Sequence, residues 1–181
     1  FEAYPNWGMD GAKLWITARV WWNPAVDVEQ LWRQFARDMF PSAQQEMSRY
    51  FMNLETLWIL MDADYERKLR KWSNQFALES PAQQRLVKEC RALLDKAATA
   101  AKSTEERSRV ELFSKSFRLS EYLFEFANAK QVKVERLQEL RQHVNSSIAT
   151  DPMTLYLSGN TPELVKEVEA ALAVITKGKI A

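Results

Sequence analysis

The chain has 181 residues, 46% of them hydrophobic, enough for one domain with its own core and too apolar for a disordered tail. Twenty-five basic residues against twenty-four acidic ones leave a net charge of +1, so the basic footprint of nucleic-acid binding is missing. No apolar run approaches the roughly 20 residues needed to cross a bilayer, and the chain does not open with a signal-peptide layout.

The first segment is the densest in tryptophan. Tyr4-Pro5-Asn6-Trp7-Gly8 is followed by Lys13-Leu14-Trp15, Ala18-Arg19, Trp21-Trp22-Asn23-Pro24 and Asp27-Val28-Glu29-Gln30-Leu31-Trp32. Gly11 to Trp22 reads as a helix apolar nearly all round, which implies cover on more than one side. With Phe1 standing where an initiator methionine would, the expectation is the trailing piece of a longer polypeptide whose preceding part covers these rings.

Asp27 with Gln30 forms a capping-box pattern, and Val28, Leu31, Trp32, Phe35 and Met39 then recur at helical spacing. After Pro41 and Ser42 a third helix carries Ala43, Met47, Tyr50, Phe51, Leu54, Leu57, Trp58 and Met61 on one face, with an end or bend expected near Asp62 to Asp64. Tyr65 to Leu78 is compatible with helix but weakly patterned. Ser80-Pro81-Ala82-Gln83 is a helix start, with Leu86, Cys90, Leu93, Leu94 and Ala97 carrying that helix to about Ala101. Ser103 with Glu106 begins a long helix bearing two apolar stripes, one through Val110, Phe113, Phe117, Phe124 and Ala127, the other through Leu112, Leu119, Leu123 and Phe126. Two stripes imply two neighbours. Leu137, Leu140, Val144 and Ile148 mark another helix; Thr161-Pro162-Glu163 starts a last one, with Leu164, Val168, Leu172 and Ile175 inward and Gly178 at its end. Prolines fall only between these segments, and the fold class is therefore an all-α helical bundle.

Gly8, Gly11, Gly159 and Gly178 are the only glycines, which removes the Rossmann and P-loop readings. Cys90 is the single cysteine and lies on an apolar stripe, so it reads as a core thiol; an internal disulfide or thiolate cluster is excluded. His143, the single histidine, sits in the charged stretch from Arg136 to Asn145 and reads as a surface side chain rather than a metal ligand or general base. Neither a metal nor a cofactor is expected.

Glu2-Ala3-Tyr4-Pro5-Asn6-Trp7-Gly8, Gly11-x-Lys13-Leu14-Trp15, Ala18-Arg19, Trp22-Asn23-Pro24, Asp27-Val28, Phe35 and Pro41-Ser42-Ala43 together resemble the C-terminal region of a bacterial domain-of-unknown-function family. The central barrel of that family is similar to α-glucuronidases and β-hexosaminidases. The likeness is tight over residues 2 to 60 and looser beyond; Phe40 stands where relatives carry a glycine, which places the local turn geometry in question. The resemblance implies that Phe1 to Trp7 ends the last strand of a (β/α)8 barrel, that Gly11 to Trp22 is its last helix, and that the domains divide as 1–26 and 27–181, the second a C-terminal helical bundle. It further implies a secreted or periplasmic protein acting on glycans, with the preceding barrel of the same polypeptide as partner.

At the mouth of such a barrel Glu2, Tyr4, Asn6 and Trp7 are candidates for sugar contact: a carboxylate and an amide for hydroxyls, and rings for the apolar face of a pyranose. They equally suit structural roles, with Tyr4 and Trp7 plugging the barrel, Glu2 capping a backbone and Asn6 fixing the Pro5-Trp7 turn. Glycoside hydrolysis needs two carboxyl groups about 5 to 9.5 Å apart, and Glu2 supplies at most one, so catalytic residues are expected on earlier strands and none in this chain. Glu105-Glu106 and Asp62-Asp64 read as helix-end carboxylates. The competing expectation is an independent helical bundle that docks a protein partner through Trp7, Trp15, Trp21 and Trp22.

Overall fold

In the computed structural model, which describes residues 7–67, 78, 80–148, 169, 170, 172, 173 and 176–179 (the backbone alone at 7, 9, 10, 62–67, 147 and 148), the elements in chain order are helical. They are α1 (Trp7–Trp22), α2 (Val28–Met39), α3 (Gln44–Arg67), α4 (Pro81–Ala100), α5 (Thr104–Asn128) and α6 (Val134–His143), the last running on into a π-helical turn over Val144–Ile148. Among the described residues there is no strand, only an isolated bridge in which the Val132 amide donates to the Lys179 carbonyl at 2.7 Å.

Three helix starts follow from side-chain oxygens placed to take orphan amides. The Asp27 carboxylate accepts from the Glu29 and Gln30 amides, Ser80 accepts from Gln83 while Gln83 reaches back to the Ser80 amide, and Ser103 accepts from Glu106. At the far end Gly178 takes φ 74°, the left-handed conformation that stops a helix at little cost.

Packing closes a ring. α1 packs on α2, α2 on α3, α3 on α4, α4 on α5, and α5 back on α1. Ile16, Phe35, Phe51, Leu94 and Phe113, one from each helix, fill its interior. Phe51 is the hub: its ring lies 5.2 to 6.2 Å from those of Trp32, Phe35, Phe40, Tyr50 and Phe113. The second stripe of α5 faces away from this core and buries Leu119, Tyr122, Leu123 and Phe126 against Val132, Leu137, Leu140, Val144 and Leu172. α5 thus has the ring on one side and α6 with the C-terminal segment on the other, but the stripes differ from expectation: Phe124 packs with Leu57, Met61 and Leu78, Ala127 joins the second cluster, and Leu112 is not part of it. Cys90 is fully buried, as its stripe position predicts, and burial, aided by the carboxylates of Glu89 and Glu121, pushes its thiol up to about 12.

Several expectations need correction. α1 already includes residues 7–10, ahead of Gly11, so Trp7 is helical rather than part of a strand and loop. Gly8 is inside the helix because α5 comes very close there: a Cβ at that position would fall on Ser116 Oγ and lie 2.7 Å from Ser116 Cβ and 2.8 Å from the Leu112 carbonyl oxygen. α3 continues through Asp62 to Asp64, as far as Arg67 among the described residues. Val28 and Trp58, placed by spacing on inward stripes, are exposed at the edges of those stripes. Phe40, in place of the glycine of the resembled family, has φ −138°, which any residue adopts, and its ring is fully buried against Phe35, Phe51 and Phe113. Most of Tyr65 to Leu78, and Thr161-Pro162-Glu163 with Leu164 and Val168, lie outside the described residues; Leu78 and Leu172 are described, and both are buried.

Candidate functional site

α1 has two faces with different fates. Its inner face buries Ala12 and Ile16 in the ring, and Trp15 meets the Phe35 ring edge-on at 5.4 Å. Arg19, one turn on, lays its guanidinium over the Trp15 ring and donates from Nη1 to the Trp15 carbonyl at 3.3 Å. The helix then stops: the Asn23 amide donates to the Arg19 carbonyl at 2.9 Å, and Asn23 Oδ1 accepts from the Ala25 amide at 3.2 Å, an Asx turn that needs no other element. This turn holds the last two indoles outward, Trp21 67% and Trp22 92% exposed. Covering the pair would contribute roughly 3–6 kcal/mol. Trp32, ten positions beyond Trp22, is by contrast a core residue: it stacks on Phe51 and donates from Nε1 to Glu55 Oε2 at 2.9 Å. A second exposed apolar run, Trp58-Ile59-Leu60, lies on α3.

The polar chemistry gathers elsewhere, between α4, α5 and α6. Arg91 reaches from α4 to the Glu121 carboxylate of α5, donating from Nε at 3.1 Å and from Nη2 at 2.7 Å. Its Nη1 donates to Ser114 Oγ at 2.7 Å and its Nη2 also to the Ser114 carbonyl at 3.1 Å. Burial opposes the charge on Arg91, but the bond to Glu121 and the charges of Glu121, Asp95 and Tyr50 outweigh it and raise its pKa. His143, half-buried rather than on the surface, places Nε2 2.8 Å from the Lys115 carbonyl. A carbonyl only accepts, so Nε2 carries the proton and, in the neutral ring, Nδ1 is an acceptor. Burial lowers the pKa of His143, and the Arg118 and Arg91 charges lower it too, against the pull of the carbonyl and Glu121. Sequence reasoning missed this cluster because its members come from three helices and only their charge, not their convergence, is written locally.

Glu106 is a helix-end carboxylate, as its pairing with Ser103 suggests, but it does more than cap. Its Oε1 accepts from the Ser42 amide at 2.7 Å and the Ala43 amide at 3.0 Å, and its Oε2 from the Lys102 amide at 3.1 Å, which fastens the α2–α3 turn to the α4–α5 turn. Burial alone would raise its pKa; the donors from Lys102, Ser42 and Ala43 outweigh that and lower it.

Of the sugar-contact candidates, Glu2, Tyr4 and Asn6 lie outside the described residues, and Trp7 is described only in its backbone, at the start of α1. Among the described residues, no three His, Cys, Asp or Glu side chains are grouped to hold a metal ion, and no helix is long and apolar enough to cross a membrane. Comparison of the chain with models of known families, with curated proteins and with solved structures finds no match.

Proposed function

We propose that the chain is the C-terminal helical part of a carbohydrate-active, glycoside-hydrolase-like bacterial protein, where it buttresses the barrel domain and is not catalytic alone. The observation that carries this reading is the exposure of Trp21 and above all of Trp22, two large apolar side chains at the turn that ends α1. The likeness of residues 2 to 60 to the barrel-bearing family names a cover for them: the barrel of the same polypeptide. On this reading Glu2, Tyr4, Asn6 and Trp7 touch the glycan, the acid and any nucleophile belong to the preceding barrel, and the protein works in the periplasm or outside the cell.

A second reading, an independent module that binds a separate protein, draws support from the closed ring, in which α1 already has α2 and α5 as partners. One experiment separates the two. The segment encoded upstream of Phe1 is expressed apart and mixed with the purified chain, with light scattering of the chain alone as companion. The barrel reading expects the chain alone to self-associate, the two pieces to form a complex, and Trp21→Ala with Trp22→Ala to weaken both. A chain that stays monomeric and ignores the upstream segment sinks it.

A further inference from the structure

Three helices border an open, shallow surface cavity of about 350 Å³ for which the buttressing role has no use. Its lining is Arg91 from α4, Glu111, Ser114, Lys115 and Arg118 from α5, and His143 from the end of α6. Three cations and a histidine line it with Glu111, and Glu121 and Asp95 pair with the arginines from behind, so the spot offers positioned donors rather than a large net charge. Two of the donors are held in place before any ligand arrives. Arg91 is locked by Glu121 and Ser114, and its bond to Ser114 Oγ occupies that oxygen as acceptor, which directs the hydroxyl proton to another acceptor. Arg118 lies 4.7 Å over the Tyr122 ring and gives one Nη1 proton to Glu121 at 3.4 Å; a guanidinium has five. The backbone changes to a π-helical turn directly after His143, a departure from α geometry that recurs at functional sites.

We propose that this cavity binds a small oxyanion of the phosphate or sulfate class, free or carried on a small molecule, with the Arg118 guanidinium and the Ser114 hydroxyl as donors and Lys115 adding charge. Preorganised, partly desolvated donors favour a multiply charged oxygen ligand over a carboxylate, because each added oxygen takes a donor already in place. His143 stands with Glu111, Lys115, Arg118 and Glu121 of α5 and Arg91 of α4, so an anion among them offsets the burial and the Arg118 and Arg91 charges that disfavour its protonated ring. Binding therefore strengthens as pH falls through the titration of His143, and protonation supplies one more donor.

Because His143 is the single histidine, its ring proton resonance reports on this site alone. The test titrates inorganic phosphate, sulfate, acetate and a phosphorylated monosaccharide into the chain at constant ionic strength, at pH 6 and pH 8. The expected result is a saturable shift with phosphate or sulfate, tighter at pH 6, and weakened about tenfold by Arg118→Gln, the worth of one charge-assisted hydrogen bond. Lys115→Gln should weaken it as well, while Arg33→Gln on α2 should not. Equal affinity for phosphate and the sugar phosphate assigns the site to the free anion; tighter binding of the sugar phosphate assigns the remaining volume to the carrier. Shifts that never saturate, that acetate reproduces, or that persist unchanged in both α5 variants overturn the proposal.

Discussion

Single residues set the response of this protein to acid through two groups of opposite kind. The folded Glu106 carboxyl titrates below its ordinary value of 4.5, so the unfolded chain takes up the proton first and stability is lost as pH falls from that value through the folded one. Glu106→Gln keeps one acceptor but turns an amide donor toward amides that also donate, and should cost about 2–3 kcal/mol at neutral pH while flattening this acid limb, read by urea unfolding at pH 7 and pH 3. The folded His143 ring also titrates below its ordinary value, 6.5, but here the neutral form is favoured. Its contribution is complete above about pH 6.5 and is lost between that value and the lower folded one, where only the unfolded chain binds the proton. His143→Gln, which can still donate to the Lys115 carbonyl, should shrink the fall in Tm between pH 8 and pH 5.5 in buffers free of phosphate and sulfate.

Individual helices were legible from sequence wherever their cause is local. Asp27, Ser80 and Ser103 act on amides two or three residues away, so the starts of α2, α4 and α5 can be read from a few letters. The helical state of Gly8 in α1 cannot, because the close approach that suits a glycine there comes from Ser116, far along the chain on α5. The acidic residues near Asp62 read as a stop, yet α3 runs to Arg67, and His143 reads as surface because α5, which half-covers it, is invisible from the stretch around it. The close α1–α5 crossing gives an element-scale prediction. Gly8→Ala should destabilise by about 1–3 kcal/mol, since the methyl drives the helices apart. Pairing it with Ser116→Gly, which removes both Ser116 atoms in the way but not the Leu112 carbonyl, should recover part of the loss in thermal unfolding.

At the scale of the whole molecule the question is to which body α1 belongs. The tryptophan density reads as an interface, a reading the exposed Trp21 and Trp22 leave open, but the same helix also closes the ring through Ala12, Ile16 and Trp15. A barrel's last helix and a bundle's first helix would divide the chain differently, and truncation to residues 27–181 distinguishes them. If the ring needs α1, the truncated chain opens a slot between α2 and α5 and strips cover from Phe35; losing a buried Ile and a half-buried Trp costs several times the 2 kcal/mol typical of one large side chain. Against a total stability of about 5–15 kcal/mol, that should leave helical far-UV circular dichroism, a weakened near-UV signal and no cooperative thermal transition. A truncated chain that melts cooperatively at the Tm of the full chain would mean that α1 contributes its energy elsewhere, and the boundary near residue 26 would stand. In the first outcome α1 belongs to the bundle through its inner face, and on the proposed barrel reading, contact at Trp21 and Trp22 would couple the stability of the bundle to that barrel.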